Sequence, residues 1–359
     1  MFIVETSVKS SMIYPVCLLL VFILTIVLSK GKTNTHKISL FASTIYILML
    51  FHSFSHPLNA KLTYITLLLP VIVVFFPQKI LNNGVTRFSF DHGLLIVFLL
   101  LVVFYFYNYQ NNLLINVDNQ NNAAYTLLFF SPVLICSKYK YIRYIVLIST
   151  GLALMYSLKR SGIAAFVLAF VAYLLVTFFI VKGFKSKMLF MLIISIGLYA
   201  CFDFFQANWG DRDNLLIERF TQLDDGGSGR DDIYKTTYSM ITNSDIDDLL
   251  LGHGYDSVSR YSPLKCSAHN DYLEYIYDYG VIGFLLLLSF IISFYKYVVS
   301  LIKDRSQYSP PAIYTLVLVF INSFFSHVFF YEWYFLLIAL FWSYINWASN
   351  EDKKNELMQ

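Results

Sequence analysis

The sequence predicts an all-α, polytopic membrane protein, and three observations support this prediction. Hydrophobic residues make up 57% of the 359 residues and charged residues only 14%, which is more apolar surface than a soluble domain can bury. Apolar runs recur along the chain, many of them long enough for a hydrocarbon core about 30 Å thick. Basic residues also alternate between successive connections, as they do when loops lie on opposite sides of a membrane.

The apolar runs predict about eleven transmembrane helices. We expect the first eight within residues 1–205 and the last three within 276–347, with one large loop at 206–275 and a tail at 348–359. The segment before the first run is nearly neutral, so that run is expected to be a retained helix rather than a signal peptide. The predicted spans are 11–29, 38–55, 62–77, 93–109, 123–137, 142–158, 161–181, 188–205, 276–301, 311–326 and 332–347.

The positions of Lys and Arg orient these helices. They are concentrated after the odd-numbered spans and in the tail, whereas the connections after spans two, four and ten hold only Lys61. This predicts an external N-terminus, a cytoplasmic C-terminus and an external loop at 206–275. Lys159 and Arg160 break the pattern, because they lie on the outer side. Basic residues at that depth indicate function, and the alternative is snorkelling to lipid headgroups.

The large outer loop is predicted to contain short amphipathic helices. A glycine cluster ending at Gly229 precedes Arg230 and a predicted helix at about 231–242. Further on, Gly252-His253-Gly254 predicts a tight turn, and turn geometry explains it better than phosphate binding does.

The stretch from Ser267 to Gly283 joins this loop to the ninth span. It predicts a helix capped by Ser267, on which His269 lies close to the azimuth of Gly280 and Gly283. Glycines on that face would allow a neighbouring helix to approach closely. The imidazole would then stand at the polar end of a tightly packed seam. An interfacial histidine with packing glycines is the alternative interpretation.

Arginines and a histidine are the candidate chemical groups of this outer layer. Guanidinium groups bind phosphate oxygens bidentately and stay charged, and an imidazole is suited to act as a general base near neutral pH. This combination favours attack by a hydroxyl on a carbon that carries a lipid-linked pyrophosphate, a leaving group that needs no general acid. Ionisable residues, among them Asp203, His327 and Glu332, lie at outer ends of spans. Ionisable residues do not continue through the depth of the bilayer, which argues against an ion-coupled transporter.

The residues just described resemble the signature of a known family. His269-Asn270, nine further residues and Gly280-Val281-Ile282-Gly283 are similar to the His-Asn…Gly-x-x-Gly signature of the bacterial O-antigen ligase and Wzy-type O-antigen polymerase superfamily. The resemblance runs from about residue 145 to 300. It also includes Lys159-Arg160-Ser161-Gly162, Ser228-Gly229-Arg230 and Leu251-Gly252-His253-Gly254.

The resemblance implies a multi-pass inner-membrane glycosyltransferase with a GT-C-like helical bundle. It implies inversion at the anomeric carbon, no metal and no cofactor, and a site at the periplasmic face. His269 matches the proposed base, and Arg160 and Arg230 match arginines that face the pyrophosphate. Arg219 fits an Arg-x-x-x-Leu pattern of the ligases and competes with Arg230. The family usually has a different number of spans and a cytoplasmic N-terminus, which departs from the topology predicted above.

Further residues complete the predicted site. Gly280 and Gly283 are expected to be structural, and substrate binding is expected from Lys159, Arg219, His253, Arg260, Asn270 and Tyr272. The expected partners are undecaprenyl-pyrophosphate-linked oligosaccharide donor and acceptor, membrane lipid and a chain-length regulator protein, without nucleic acid. The many Phe, Tyr, Ile and Asn residues suggest an AT-rich gene, a composition typical of antigen gene clusters. This composition and the short chain favour a polymerase of surface polysaccharide repeat units. The alternatives are a ligase that transfers the glycan to lipid A-core and a lipid-linked oligosaccharide flippase.

Overall fold

The computed structural model describes residues 87–110, 117–157, 159–180, 229–254, 256–329 and 332–357. Every regular element in these ranges is an α-helix, so the all-α prediction is confirmed for them. The predicted spans at 11–29, 38–55, 62–77 and 188–205, and Arg219, lie outside the described residues. In chain order the helices are α1 (Arg87–Gln110), α2 (Val117–Ile135), α3 (Lys140–Ser157), α4 (Arg160–Ile180), α5 (Arg230–Thr242), α6 (Ile246–Leu251), α7 (Ser257–Tyr261), α8 (Asp271–Lys303), α9 (Ser309–Phe325) and α10 (Glu332–Leu357).

The seven predicted spans that fall in the described ranges each coincide with a long helix, namely α1 to α4 and α8 to α10. Two of these, Arg87–Tyr109 and Arg160–Ile180, are long and apolar enough to cross a membrane, and the bent helix α8 makes a third if it is one span. The number eleven therefore stays a prediction. α8 begins at Asp271, before the predicted boundary of its span, and α10 continues to Leu357 through most of the predicted tail.

The long helices pack into a bundle with an aromatic interior. α4 lies chiefly against α9, α2 against α3 and α10, and α8 against α9. Phe98, Phe129 and Phe341 are fully buried between them. Apolar side chains also cover the outer faces of α1 and α4, where Phe104 is 62% and Phe179 68% exposed. Such faces suit lipid, in which helix association depends on close packing rather than on removing apolar surface from water.

Arg87 connects four segments at one end of the bundle. Its guanidinium donates to the Tyr344 hydroxyl at 3.2 Å and to the Cys136 carbonyl at 3.5 Å, and lies 3.3 Å from an oxygen of Asp352. The Tyr308 hydroxyl bonds the same carboxylate. These residues come from the start of α1, the end of α2, the α8–α9 connection and the tail end of α10. The basic residues predict a cytoplasmic position for all four segments, and the contacts bring the four segments together at one end of the bundle.

The short helices α5 to α7 lie over the first half of α8, at the other end of the bundle. Ile241, Val258, Ala268 and Tyr277 form a small hydrophobic core there, separate from that of the bundle. α5 begins at Arg230, directly after Gly229 in a left-handed conformation (φ 78°), close to the predicted helix bounds.

Helix α8 is interrupted at Gly280, which has non-helical backbone angles (φ 65°, ψ −173°). A separate bend of 56° lies further along α8, between the segments Asp271–Leu285 and Leu287–Lys303. An interrupted helix leaves carbonyl groups without their usual partners. The backbone N–H groups of His253 and Gly254 donate to the carbonyls of Tyr277 and Asp278 at 3.0 and 2.8 Å. The Gly252-His253-Gly254 segment therefore supplies two hydrogen-bond donors to the interrupted helix.

Candidate functional site

His269 lies in the loop before α8, and the prediction that it stands on the helix is wrong. α8 is capped by Asn270, whose side-chain oxygen accepts hydrogen bonds from the backbone N–H groups of Tyr272 and Leu273 at 3.0 and 3.2 Å. His269 itself has a left-handed backbone (φ 49°), so it cannot share a helical face with Gly280 and Gly283. Ser267 was the predicted cap, but its hydroxyl lies 3.0 Å from Nε2 of His327.

Three buried acidic residues line one face of the first half of α8. Asp271, Glu274 and Asp278 are 0%, 2% and 0% exposed, and their spacing places them on the same side of the helix. Buried carboxylates need hydrogen-bond donors, and each of these three holds a neighbouring segment. Asp271 accepts from the backbone N–H groups of Val328 and Phe329 at 2.9 and 3.2 Å, which ties the loop after α9 to the start of α8.

The other two acids hold the segments on either side of the histidine loop. Glu274 accepts from the N–H of Ala268 at 3.1 Å and so fixes the residue before His269. Asp278 accepts from the N–H groups of Asp256, Ser257 and Val258 at 2.7, 3.1 and 3.2 Å, and it thereby caps the start of α7. The histidine loop is therefore held by side chains that the sequence analysis did not select.

A second imidazole, His327, lies beside His269. The two ring centroids are 5.3 Å apart and the planes are inclined by 34°. Nδ1 of His327 is 3.4 Å from a carboxylate oxygen of Asp271 and 3.4 Å from one of Glu274. His269 was the predicted base, and the structure adds a second imidazole beside it. The polar layer at the outer span ends contained His327, but its position in the sequence gave no reason to select it.

Tyr234 joins Arg230 to the histidine loop. Its hydroxyl donates to the carbonyl of Phe324 at 2.8 Å and lies 3.5 Å from the carbonyl of His269. The Asn270 side chain is within hydrogen-bonding reach of the same hydroxyl, and Arg230, one helical turn earlier, interacts with it electrostatically. Burial raises the pKa of Tyr234, with Arg230 opposing that effect, so the hydroxyl keeps its proton and acts as a donor at neutral pH.

Tyr125 on α2 joins Arg230 to the start of α4. The ammonium group of Lys159 lies 4.3 Å from the centre of the Tyr125 ring, a cation–π arrangement, and the Tyr125 hydroxyl is hydrogen-bonded to that of Ser161 at 2.9 Å. Arg230 also acts electrostatically on this hydroxyl, and Ser326 bonds it from the loop after α9. Lys159 and Arg230 thus both act on Tyr125, and Arg160, the first residue of α4, directly follows Lys159 in the chain.

Two other predicted site residues belong to the short-helix layer. The His253 ring stacks on that of Tyr277 with centroids 4.1 Å apart, and its Nε2 lies 3.6 Å from a carboxylate oxygen of Asp248. Arg260 is in the last turn of α7. Tyr272 is nearer the histidine loop, and its ring packs on Phe324 with centroids 4.5 Å apart. The contacts of His253 and Asn270 hold the backbone in place, so their predicted substrate-binding roles compete with structural ones.

The residues that the sequence analysis missed left only a weak signal. Asp271, Glu274 and Asp278 have helical spacing in an otherwise apolar stretch, which indicates a buried polar face. Tyr125 and Tyr234 gave no local signal, because interfacial tyrosines are common in membrane proteins.

Together these features define a class: a helical membrane protein with a polar site of imidazole, guanidinium and ammonium groups at one end of an apolar bundle. Residues 145–288 match the family model described as O-antigen ligase. The match falls in the region where the sequence resembles the O-antigen ligase and polymerase superfamily, so the resemblance predicted from the sequence is confirmed there. The match includes Lys159, Arg160, Arg230 and His269, whereas His327 lies beyond it. No curated protein matches the chain.

Proposed function

We propose that the protein is a metal-independent, inverting glycosyltransferase that polymerises oligosaccharide repeat units of O-antigen or a related surface polysaccharide. Its donor and acceptor would be undecaprenyl-pyrophosphate-linked, and the reaction would take place at the periplasmic face of the inner membrane. The observation that carries the proposal is the position of Tyr234. Its hydroxyl lies 3.5 Å from the carbonyl of His269 and interacts electrostatically with Arg230. It falls within the region that matches the O-antigen ligase family.

The proposed reaction is a single displacement at the anomeric carbon of the donor sugar. His269 accepts the proton of the acceptor hydroxyl as that oxygen forms the new glycosidic bond. The bond between the anomeric carbon and the pyrophosphate oxygen breaks, and the pyrophosphate leaves with the electron pair. Attack from the face opposite the leaving group inverts the configuration. The proton passes to water after the product has left.

The basic residues around Tyr125 are suited to stabilise the leaving group. Lys159 and Arg230 both interact with Tyr125, and Arg160 adjoins Lys159. Fixed positive charge beside a departing pyrophosphate stabilises the charge that develops in the transition state. Tyr125 and Ser161 hold this region, through the cation–π contact with Lys159 and the hydrogen bond between their hydroxyls. We therefore assign Lys159, Arg160 and Arg230 to pyrophosphate binding and His269 to base catalysis.

The experiment that tests the proposal uses the purified full-length protein in lipid nanodiscs with a synthetic lipid-pyrophosphate-linked repeat unit. We expect products of two or more units on one lipid, with release of lipid pyrophosphate. The His269→Ala protein should insert and purify normally and give no joined product. Wild-type product from His269→Ala would overturn the assignment of the base. Movement of the lipid-linked sugar across the bilayer without joining would favour the flippase instead.

Ligase activity is the second candidate, and the description of the matching family as O-antigen ligase favours it. Polymerase and ligase share the donor chemistry and differ in the acceptor. Adding lipid A-core to the same assay separates them, because a ligase forms product only when that acceptor is present. In cells, deletion of a polymerase should leave one repeat unit on the core, whereas deletion of a ligase should leave none.

A further inference from the structure

We propose that His327 is a positioning residue for His269, which deepens the proposed function and rests on it. The His327 ring lies 5.3 Å from that of His269 at an inclination of 34°, and only 4% of the residue is exposed. The His327 ring is therefore a buried surface that packs against the His269 ring.

The His327 ring is fixed at both nitrogens. Nδ1 is 3.4 Å from oxygens of Asp271 and Glu274, and Nε2 is 3.0 Å from the Ser267 hydroxyl. The Asp271 side chain already accepts two backbone N–H groups on its other oxygen, so a proton on Nδ1 of His327 fits this arrangement. The same two carboxylates hold the backbone on either side, at Ala268 and at Val328. A single cluster therefore determines the position of His327 and of the loop that carries His269.

The polar groups around His327 come from two helices and a loop. Asp271 and Glu274 lie on α8, where burial raises the pKa of Glu274, and His269 and Ser267 belong to the loop before α8. Tyr234 on α5 reaches the same loop, with its hydroxyl 3.5 Å from the carbonyl of His269. The His327 ring packs on the His269 ring and is itself held at both nitrogens, so it limits movement of the His269 ring. The effect on the reaction should therefore appear in the chemical step rather than in binding of the lipid-linked donor.

The test distinguishes the effect of the His327 ring on His269 from the effect of the hydrogen bonds that His327 makes. In His327→Asn, the side-chain NH2 replaces Nδ1–H as donor to the two carboxylates, but no ring remains beside His269. With the purified protein and the lipid-linked repeat unit, we expect kcat to fall at least about tenfold, as it does when other orienting partners are removed, with KM for the donor unchanged. The thermal unfolding midpoint should stay near that of wild type. His327→Ala should lower both kcat and the unfolding midpoint.

A matched control is His92→Ala, which removes a histidine at the other end of the bundle, where it bonds the Phe88 carbonyl at 2.7 Å and the Tyr141 hydroxyl. We expect its kcat to match wild type. Wild-type kcat in His327→Asn would overturn the proposal, because it would reduce His327 to a hydrogen-bond donor. An increase in KM without loss of kcat would also overturn it. If the wild-type protein joins no repeat units at all, the proposed function fails, and that failure is separate from either result.

Discussion

Gly280 approaches the backbone of Leu250 so closely that a Cβ on Gly280 would lie 2.3 Å from the Leu250 carbonyl oxygen. The segment after α6 approaches α8 just as closely, since a Cβ on Gly252 would lie 2.3 Å from the carbonyl oxygen of Asp278. Both glycines also have positive φ values, of 65° and 85°. The expectation that Gly280 permits close approach is supported by this contact, although its partner is the end of short helix α6 rather than a neighbouring long helix.

The first prediction concerns Gly280→Ala. The backbone angles of Gly280 belong to a region that only glycine occupies readily, and the strain alone costs about 1–3 kcal/mol. The overlap with a carbonyl oxygen adds to this cost, because backbone atoms cannot move aside as a flexible side chain can. We expect little folded protein, measured as the yield of monodisperse protein after extraction and size-exclusion chromatography.

The control for Gly280→Ala is Gly93→Ala in α1, where a new Cβ meets no atom within 4 Å. Alanine is favoured over glycine inside a helix by about 1 kcal/mol, so this variant should be at least as stable as wild type. A normal yield and unfolding midpoint for Gly280→Ala would show that the interruption of α8 is not required.

Asp278→Asn provides a second test of the same region. The carboxylate of Asp278 is fully buried and accepts three backbone hydrogen bonds at the start of α7. The amide group of asparagine puts an NH2 donor in place of one accepting oxygen, so at least one backbone N–H loses its partner. We expect a loss of about 1–3 kcal/mol in stability, and faster amide exchange in α7 measured by hydrogen–deuterium exchange. The exposed Asp247→Asn should change neither quantity, and unchanged exchange in α7 would contradict the capping role.

The long helices were predictable from the sequence, but the start of α8 was not. The length and apolar character of a membrane helix are local properties, and a helix lies at each predicted span in the described residues. Ser267 and Asn270 are both good N-cap residues, so the local sequence does not decide between them. Contacts decide, because the Ser267 hydroxyl bonds His327 while the Asn270 side chain bonds the first N–H groups of the helix.

The composition of the site was predictable only in part, for the same reason. The family resemblance and the orientation of the basic residues selected Arg160, Arg230 and His269 without any coordinates. His327 and Asp271 are 56 residues apart in the sequence, and only the packing of α9 on α8 brings them together. Tyr125 and Tyr234, which connect the basic residues to the histidine loop, cannot be told from other interfacial tyrosines before the helices are assembled.

Tyr234→Phe should weaken the connection between Arg230 and the histidine loop. The variant keeps the ring but loses the hydroxyl that donates to Phe324 and lies near the carbonyl of His269. We expect a loss of about 1 kcal/mol in stability and a lower rate of repeat-unit joining, because the His269 loop loses one of its supports. Tyr238→Phe is the matched control, since Tyr238 is 62% exposed on the same helix. Equal rates for the two variants would show that the Tyr234 hydroxyl does not support the site.

Arg230→Ala should abolish most of the activity while the protein remains folded. Arg230 begins α5 and acts on both Tyr125 and Tyr234, so we assign it a direct contact with the pyrophosphate. Removal of one group that stabilises transition-state charge typically lowers kcat by about 10²–10³. The measurement is the rate of repeat-unit joining by purified variants. Lys235→Ala, which removes an exposed positive charge from the same helix, should keep the wild-type rate, and a similar loss in both variants would indicate only a general electrostatic effect.

Arg160→Lys distinguishes a pyrophosphate contact from snorkelling to lipid headgroups. Lysine keeps the positive charge and can reach a headgroup, but it lacks the planar pair of donors that binds two phosphate oxygens at once. If Arg160 binds the pyrophosphate, Arg160→Lys should lower kcat while insertion and yield stay normal. Lys159→Arg offers the reverse comparison, because arginine preserves the charge over the Tyr125 ring and also stacks well on aromatic groups. We expect that variant to retain activity, and a wild-type rate for Arg160→Lys would assign Arg160 to the lipid interface.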